Sequence, residues 1–434
     1  MTALQEPTDS VVDIVGIGLG PSNLALATAV EEHNRDHYED QALRARFFEK
    51  QPAFGWHRGM LVEGATMQVS FLKDLATMRN PVSPFGYLSY LKDKDRLVDF
   101  INAKSFYPLR VEFHDYLEWV AERFSDIISY SSKVTEVRPV LQEDTIKYLD
   151  VVVRCGKDVT VQRTRNIVIA TGLEPWLPPG VEAAERIWHS SDLLNRIELF
   201  ASTKSPRSFA VIGSGQSAAE AVEYLHSRFP EAAVHAVFSR YGYSVADDSP
   251  FANRIFNPQA VDHYFGASDM VKEMLLAYHS NTNYSVVDLD VIDQLYRRTY
   301  LESVTGRQRL HVHNVSRVRG LEPGPDGVRI DVEFLPTAVH TPLHVDAAVY
   351  ATGYRPSDPV PLLGQMASLC KQDEHGRVDV RRDYRVSTAG NVHCGIYLQS
   401  SMEHSHGITA SLLSNTAVRA GEITRSILGH RTTQ

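Results

Sequence analysis

Two stretches of the chain share one succession of apolar, turn-forming and again apolar positions. VVDIVGIG (11–18) is apolar at nearly every position, breaks into glycines, and passes at once into LALATAV (24–30). SFAVIGSG (208–215) repeats this and runs on into QSAAEAVEYL (216–225). A short continuous apolar run bounded by glycine predicts a strand buried on both faces, and the run behind it a helix whose N-terminus faces the turn. Further strands are predicted at ARFFE (45–49), NIVIATG (166–172), VHAVF (234–238), RLHVH (309–313), GVRIDVEF (327–334) and DAAVYATGY (346–354). The polar stretch DDSPFANRIFNP (247–258) has two prolines, two asparagines and two acids and reads as a loop, whereas MVKEMLLAY (270–278) reads as helix. The pattern predicts an α/β chain of two Rossmann-like dinucleotide-binding domains plus a small, mainly helical substrate domain.

The glycines give the two turns their chemistry. Gly16, Gly18 and Gly20, followed by Pro21 and Asn23, and Gly213 and Gly215, flanked by Ser214, Gln216 and Ser217, let the backbone approach a phosphate. Free amides and the helix dipole then favour its negative charge. One such turn is weak evidence; two in full strand–turn–helix context predict two nucleotides. The next strands separate them. The first unit's ends at Glu49 and Lys50, and a carboxylate there suits the free 2′-hydroxyl of an adenosine ribose, as in FAD or NAD. The second unit's ends at Ser239 and Arg240 with no acid, which suits the 2′-phosphate of NADPH. The competing reading is that Glu49 and Arg240 are ordinary solvated charges.

The Ala-Thr-Gly endings at 170–172 and 351–353 fall after the first and second fingerprints, which suggests one nucleotide domain interrupted by another. The expected division is 8–205 for the first part of an FAD domain, 206–245 with 306–340 for an NADPH domain, 246–305 for a substrate module, and 341–425 for the second part of the FAD domain. With 434 residues, more than one domain is expected. A net charge of -9 and no long basic run argue against nucleic acid. Asp13, the glycines, Pro21 and Asn23 interrupt the apolar N-terminal stretch, so no membrane association is expected. Cys155, Cys370 and Cys394 are few and scattered, which argues for a reducing cytoplasmic compartment and offers no metal spacing. No redox dithiol of the C-x-x-C kind occurs.

Two nucleotides without a dithiol leave electron transfer, substrate reduction and oxygen activation open. MQVSFLKDLATM (67–78) bears on the choice: Gln68 and Lys73 stand in an apolar stretch, where a cation could stabilise a flavin-bound oxygen anion or orient a substrate carboxylate. The bland alternative is a surface lysine whose stem covers apolar neighbours.

WHRGM (56–60), MQVSFLKDLAT (67–77), DDSPFAN (247–253), NTNYSVVD (281–288) and HGITASLLS (406–414) together resemble the L-ornithine N5-monooxygenases, N-hydroxylating class B flavoproteins of siderophore and peptide natural-product pathways. The resemblance runs from about residue 11 to about 425. It includes the D-x-x-x-(L/F)-A-T-G-Y signature, with Tyr350 in place of Leu or Phe. It implies FAD on Gly16, Gly18, Gly20, Pro21, Asn23, Glu49 and Lys50, with Trp56, His57 and Gln68 along the flavin. It implies NADPH on Gly213, Ser214, Gly215, Gln216, Ser217 and Arg240, with Thr352, Gly353 and Tyr354 also at the cofactors. Lys73 would meet the substrate carboxylate, Asn253 and Asn283 would grip the amino-acid end, and Ser411 would lie at the substrate mouth. Gln68, Lys73 and Asn253 are the catalytic candidates, while His404 and His406 read as packed neutral histidines. The implied reaction is NADPH- and O2-dependent N5-hydroxylation of L-ornithine through a flavin C4a-hydroperoxide. L-lysine is the closest alternative substrate, since one methylene is worth only about 1–3 kcal/mol in a pocket. A general NADPH oxidase or reductase is the other alternative. The resemblance also implies a homotetramer.

Overall fold

The computed structural model describes residues 11–203 and 205–431; residues 8–10 of the expected first segment lie outside the described residues. Four parallel strands lie side by side in the first sheet: Ile128–Ser129, Ala45–Phe48, Val12–Ile17 and the C-terminal half of Asp158–Ile169. Ile14, Val15, Phe47, Ile167 and Val168 are fully buried, as strands covered on both faces must be. Asp158–Ile169 changes partner along its length. Its first half pairs antiparallel with Thr145–Cys155, which pairs in turn with Lys133–Gln142. Its second half takes the parallel strand Gly395–Leu398, from the far end of the chain. Helices Pro21–Asp36 and Thr416–Arg431 pack together, so this domain is closed by both ends of the described chain.

A second sheet is wholly parallel, in the order Leu310–His313, Ala233–Val237, Ser208–Ile212, Ala347–Tyr350, Ile187–His189. Helices Gln216–Arg228 and Leu289–Thr305 contribute to the core on one face. On the other, Ala210, Val237, Ala348 and Tyr350 pack on Val328, Ile330 and Val332 of an antiparallel meander, Ser316–Gly324, Gly327–Phe334 and Val339–Val345. The chain enters and leaves this domain through one antiparallel pair, Leu173–Pro175 with Tyr354–Pro356.

The strands of the second sheet thus fall in sequence between strands of the first, and three elements join other neighbours than the expected division gives them. Ala347–Tyr350, placed by sequence in 341–425, is a strand of the second sheet, paired in parallel with Ser208–Ile212, and its residues are buried on both faces of that sheet. Ile187–His189 and helix Leu193–Thr203, placed in 8–205, also belong to the second domain, where Trp188, Leu193, Ile197 and Phe200 are buried. Leu289–Thr305, placed in the substrate module, is the crossover helix leading into Leu310–His313, with Leu295 in the second core. What remains of the module is a turn, Ala252–Phe256, and two helices, Pro258–Phe265 and Asp269–His279.

Candidate active site

The two glycine turns are built alike. Gly18 has φ +82°, and a Cβ there would come within 2.6 Å of the Ala170 carbonyl oxygen. Gly213 has φ +144°, and its Cβ would come within 2.3 Å of the Ala351 carbonyl oxygen. Each fingerprint thus presses its backbone on the Ala-Thr-Gly ending of its own sheet, which excludes any side chain at those positions. Gly20 is the opposite case: a Cβ there would meet nothing within 4 Å, so this side of the turn is open. It precedes a helix whose first position is Pro21, and the amides of that first turn face the opening. These are cradles of the kind a pyrophosphate fills.

Several expected cofactor residues brace the turn rather than face outward. Asn23 is fully buried and donates to the Gly18 carbonyl at 2.7 Å, while its own oxygen accepts from Gln399. Glu49 is 5% exposed, and its carboxylate accepts from the Leu19 amide at 2.7 Å and the Gln51 amide at 2.8 Å. Lys50 is exposed at the strand's end. Trp56 and His57 meet edge to face at 4.5 Å, and His57 and His189 both present ring edges to Tyr354. His189 also bonds the Gly353 carbonyl, and the Thr352 hydroxyl donates to the Trp176 carbonyl at 2.6 Å. Thr352, Gly353 and Tyr354 therefore fix the crossing between the domains.

At the second turn Gln216 does not stand free. Its side-chain nitrogen donates to Glu220 at 2.9 Å and Asp288 at 3.1 Å, and its oxygen accepts from the Asp288 amide at 2.8 Å. Asp288 accepts in turn from Gln68 of the first domain at 3.1 Å. Glu220 receives both terminal nitrogens of Arg110, each at 2.7 Å, and that guanidinium also bonds the carbonyls of Met60 and Thr66. Burial raises the Asp288 carboxyl above its ordinary value, and Glu220 adds to the rise. A polar chain from Arg110 through Glu220, Gln216 and Asp288 to Gln68 thus ties the second fingerprint to the first domain. Ser214 and Ser217 lie half-buried on the turn. Arg240 is exposed three residues past its strand, donating to the Ser285 carbonyl at 2.7 Å.

Lys73 sits in a segment without regular structure that is shaped by the buried Asp74. That carboxylate accepts from the amides of Ala76, Thr77 and Tyr87 and from the Thr77 hydroxyl. The lysine nitrogen lies 5.3 Å from the centre of the Phe256 ring, and burial lowers its pKa. Phe256 ends the turn that carries Asn253, whose side chain donates to the Asp248 carbonyl at 2.6 Å. The Asn283 loop runs beside it, joined by Asp247 to Asn281 at 3.0 Å and by Ala246 to Val287 at 3.0 Å. Tyr284 donates to Glu403 at 2.6 Å, and the half-buried Ser411 lies next to that carboxylate without completing a hydrogen bond. Lys73, Asn253, Asn283 and Ser411 are thus linked through neighbouring turns. His406 is 1% exposed and stacks on Tyr384 at 4.5 Å, with its pKa pushed down to about 3 by burial. Its ring is packed and hydrogen-bonded to Ser405, an environment that disfavours a charge on it.

Sequence reasoning missed Arg110, Glu220, Asp288 and Glu403. Asp288 and Glu220 stood in runs already singled out, where an acid beside apolar residues was the available signal. Arg110 carried none.

Two sheets, one mixed and one wholly parallel, each with a glycine turn pressed on its own Ala-Thr-Gly ending, define a flavoprotein of the two-dinucleotide class. A family model described as L-lysine 6-monooxygenase/L-ornithine 5-monooxygenase matches residues 10–356, and the chain belongs to that family. It is 40% identical to an L-ornithine N(5)-monooxygenase of Burkholderia cepacia, over 98% of this chain and 96% of that one. Among solved structures it is similar to the ornithine N-hydroxylase of Kutzneria sp. 744 in complex with reduced FAD, NADP+ and L-ornithine. That likeness has a TM-score of 0.92 and 47% identity, over 98% of this chain and all of that one. The ornithine hydroxylase of Pseudomonas aeruginosa gives a TM-score of 0.90 and 35% identity, over 97% and 100%.

Proposed function

We propose that the protein is an FAD-dependent L-ornithine N5-monooxygenase that uses NADPH and dioxygen. The balanced reaction takes the terminal amine, O2, NADPH and a proton to the hydroxylamine, NADP+ and water. The observation that carries the reading is Lys73: a half-buried ammonium in no ion pair among the described residues, among the turns that bear Asn253 and Asn283, where the two nucleotide domains meet. Such a charge is complementary to a substrate carboxylate.

FAD held on Gly16, Gly18 and Gly20, when reduced, supplies activated oxygen, and NADPH held on Gly213 to Ser217 supplies the hydride. The protein's part is positioning and protonation. Lys73 fixes the carboxylate end, so the distance from it to the reacting nitrogen selects chain length. Asn253 and Asn283, on loops tied together by backbone bonds, orient the same end. The reacting nitrogen must be the free amine, which starts near a pKa of about 10.4, and a dry site favours that form. Gln68 is held by Asp288 at the domain junction, beside the expected path of the flavin. Arg240 would meet the 2′-phosphate once its bond to the Ser285 carbonyl is shared or released.

The test is a product assay: FAD-loaded protein, NADPH, and either L-ornithine or L-lysine, with hydroxylamine measured against NADPH consumed. Near-equal amounts with ornithine support the reading; peroxide without hydroxylamine points to an oxidase, and preference for lysine moves the substrate by one methylene. Among the described residues no helix is long and apolar enough to cross a membrane. A cytoplasmic setting is inferred from three cysteines that stay unpaired. A homotetramer is inferred from the family likeness, with surface for it on the exposed stripes Met270, Met274, Tyr278 and Tyr296, Tyr300, Val304; sedimentation tests it.

A further inference from the structure

Among the described residues, two charges at the substrate end of the site have no oppositely charged partner. Lys73 is half-buried over the Phe256 ring and forms no ion pair among the described residues. Glu403 is half-buried beside Tyr284 and Ser411 and likewise forms no ion pair among the described residues. Its Oε1 accepts the 2.6 Å hydrogen bond from Tyr284, and its second oxygen accepts none among the described residues. A half-buried carboxylate left in this condition is costly unless something else completes it.

The two charges share one set of turns. Lys73 lies over Phe256, and the turn Ala252–Phe256 packs on the turn Ile408–Ser411. Ser411 adjoins Glu403, and Tyr284, which holds Glu403, follows Asn283 in the chain. One unpaired cation and one unpaired anion so arranged are complementary to a zwitterion, the form of a free α-amino acid at neutral pH.

We propose that Glu403 is the counter-ion of the substrate's α-ammonium group, with Lys73 holding the α-carboxylate, so that the site recognises a free amino acid by both of its charged ends. The reaction's own chemistry decides which nitrogen Glu403 meets. A carboxylate beside the reacting amine would favour its protonated form, which cannot attack oxygen. Beside the α-nitrogen the same charge holds the non-reacting ammonium in place and keeps it from competing for the oxidant. Tyr284 sets the rotamer of Glu403 and is a positioning residue.

This inference rests on the amino-acid hydroxylation proposed above. Its test compares the parent enzyme with Glu403→Gln, using L-ornithine as substrate and 5-aminopentanoate, which lacks only the α-amino group, as competitive inhibitor. Glu403→Gln is expected to raise the ornithine KM at least tenfold while kcat at saturation stays within about threefold of the parent, and the 5-aminopentanoate inhibition constant does not change. Glu403→Asp should recover part of the affinity. A parallel rise in KM and inhibition constant would overturn the assignment, since the α-ammonium would then not be what Glu403 recognises. So would a fall in kcat at unchanged KM, which would place Glu403 at the reacting nitrogen. If Glu403→Gln does not fold, Glu403→Asp decides: a larger ornithine KM with an unchanged inhibition constant supports the assignment, and equal shifts overturn it. Failure of the parent to form hydroxylamine from ornithine would instead count against the proposed reaction. If the parent prefers lysine, lysine and 6-aminohexanoate run the same comparison.

Discussion

Replacing Glu220 by glutamine would leave the Arg110 guanidinium without its counter-ion at the junction of the two nucleotide domains. The pair is bidentate, with two contacts of 2.7 Å, and its side chains are 12% and 5% exposed, so solvent screens it little. Removing one member of such a buried pair costs about 3–5 kcal/mol, against about 0.2–1 kcal/mol for exposed pairs. Glutamine keeps one acceptor oxygen, which places the expected loss near the lower figure, about 3 kcal/mol. An unfolding entropy of roughly 2.1 cal/mol/K per residue gives about 0.9 kcal/mol per kelvin for a chain of this length, so the melting temperature should fall by about 3 °C if the domains unfold together. Calorimetry on the FAD-loaded enzyme, in a cycle with Arg110→Gln and the double variant, reads the coupling directly. The expected coupling is about 2 kcal/mol or more. A value below about 0.5 kcal/mol would put the pair in the class of screened surface bridges and refute the reasoning. Because Gln216 donates to Glu220 as well as to Asp288, the same variant should also slow flavin reduction by NADPH more than it changes the ornithine KM.

Lys73→Ala should raise the ornithine KM by at least tenfold while NADPH reduces the flavin at close to the parent rate; stopped-flow absorbance separates the two, and equal damage to both would make Lys73 a residue of the fold or of the flavin site. Arg240→Ala should narrow the preference for NADPH over NADH, read as the ratio of the two kcat/KM values, and an unchanged ratio would leave Arg240 as a clamp on the Ser285 carbonyl. Glu302 offers a pH test: burial alone would raise its carboxyl, but the amides of Leu310 and Arg309 and the His226 ring outweigh that and leave it below its ordinary 4.5. A carboxyl depressed in the folded state contributes stability that is present above 4.5 and lost as the pH falls through the folded value. Glu302→Gln should therefore cost about 2 kcal/mol at pH 7, and the gap to the parent should close below pH 4.5 in denaturant titrations; a gap independent of pH would contradict the sign.

What could be read from the chain follows from what each feature demands locally. A phosphate-binding turn needs glycine where the backbone meets the neighbouring strand, so Gly18 and Gly213 betray themselves, and the open side at Gly20 completes the pattern. Asn253 and Asn283 are singled out only through long motifs, since an asparagine on a loop has many uses, and their roles stand as proposed. Strand partners were not legible at all. DAAVYATGY is apolar on both faces, and such a run fits any parallel sheet; the parallel pairing of Ala347–Tyr350 with Ser208–Ile212 places it in the second one. The same holds for Leu289–Thr305, whose pattern announces a helix without saying that Leu295 belongs to the second core.

The polar groups that join the domains were hidden for a different reason. Gln68, Arg110, Gln216, Glu220 and Asp288 come from segments far apart in sequence, and each alone is an ordinary solvated residue type. Only the fold makes them one chain of hydrogen bonds, with Asp288 between Gln68 on the flavin side and Gln216 on the nucleotide side. That arrangement has a consequence for turnover. On the proposed assignment, the residues beside hydride donor and acceptor are held to each other through Gln216, Asp288 and the buried Glu220, whose loss leaves the Arg110 guanidinium and the Gln216 amide short of a partner. The second domain therefore has a stiff connection to the first at the fingerprint and a narrow one at the strand pair Leu173–Pro175 with Tyr354–Pro356. On the proposed site, a substrate gripped by Lys73 on one side and by Asn253 and Asn283 on the other would be bound by both domains at once, and its affinity should then depend on that same junction.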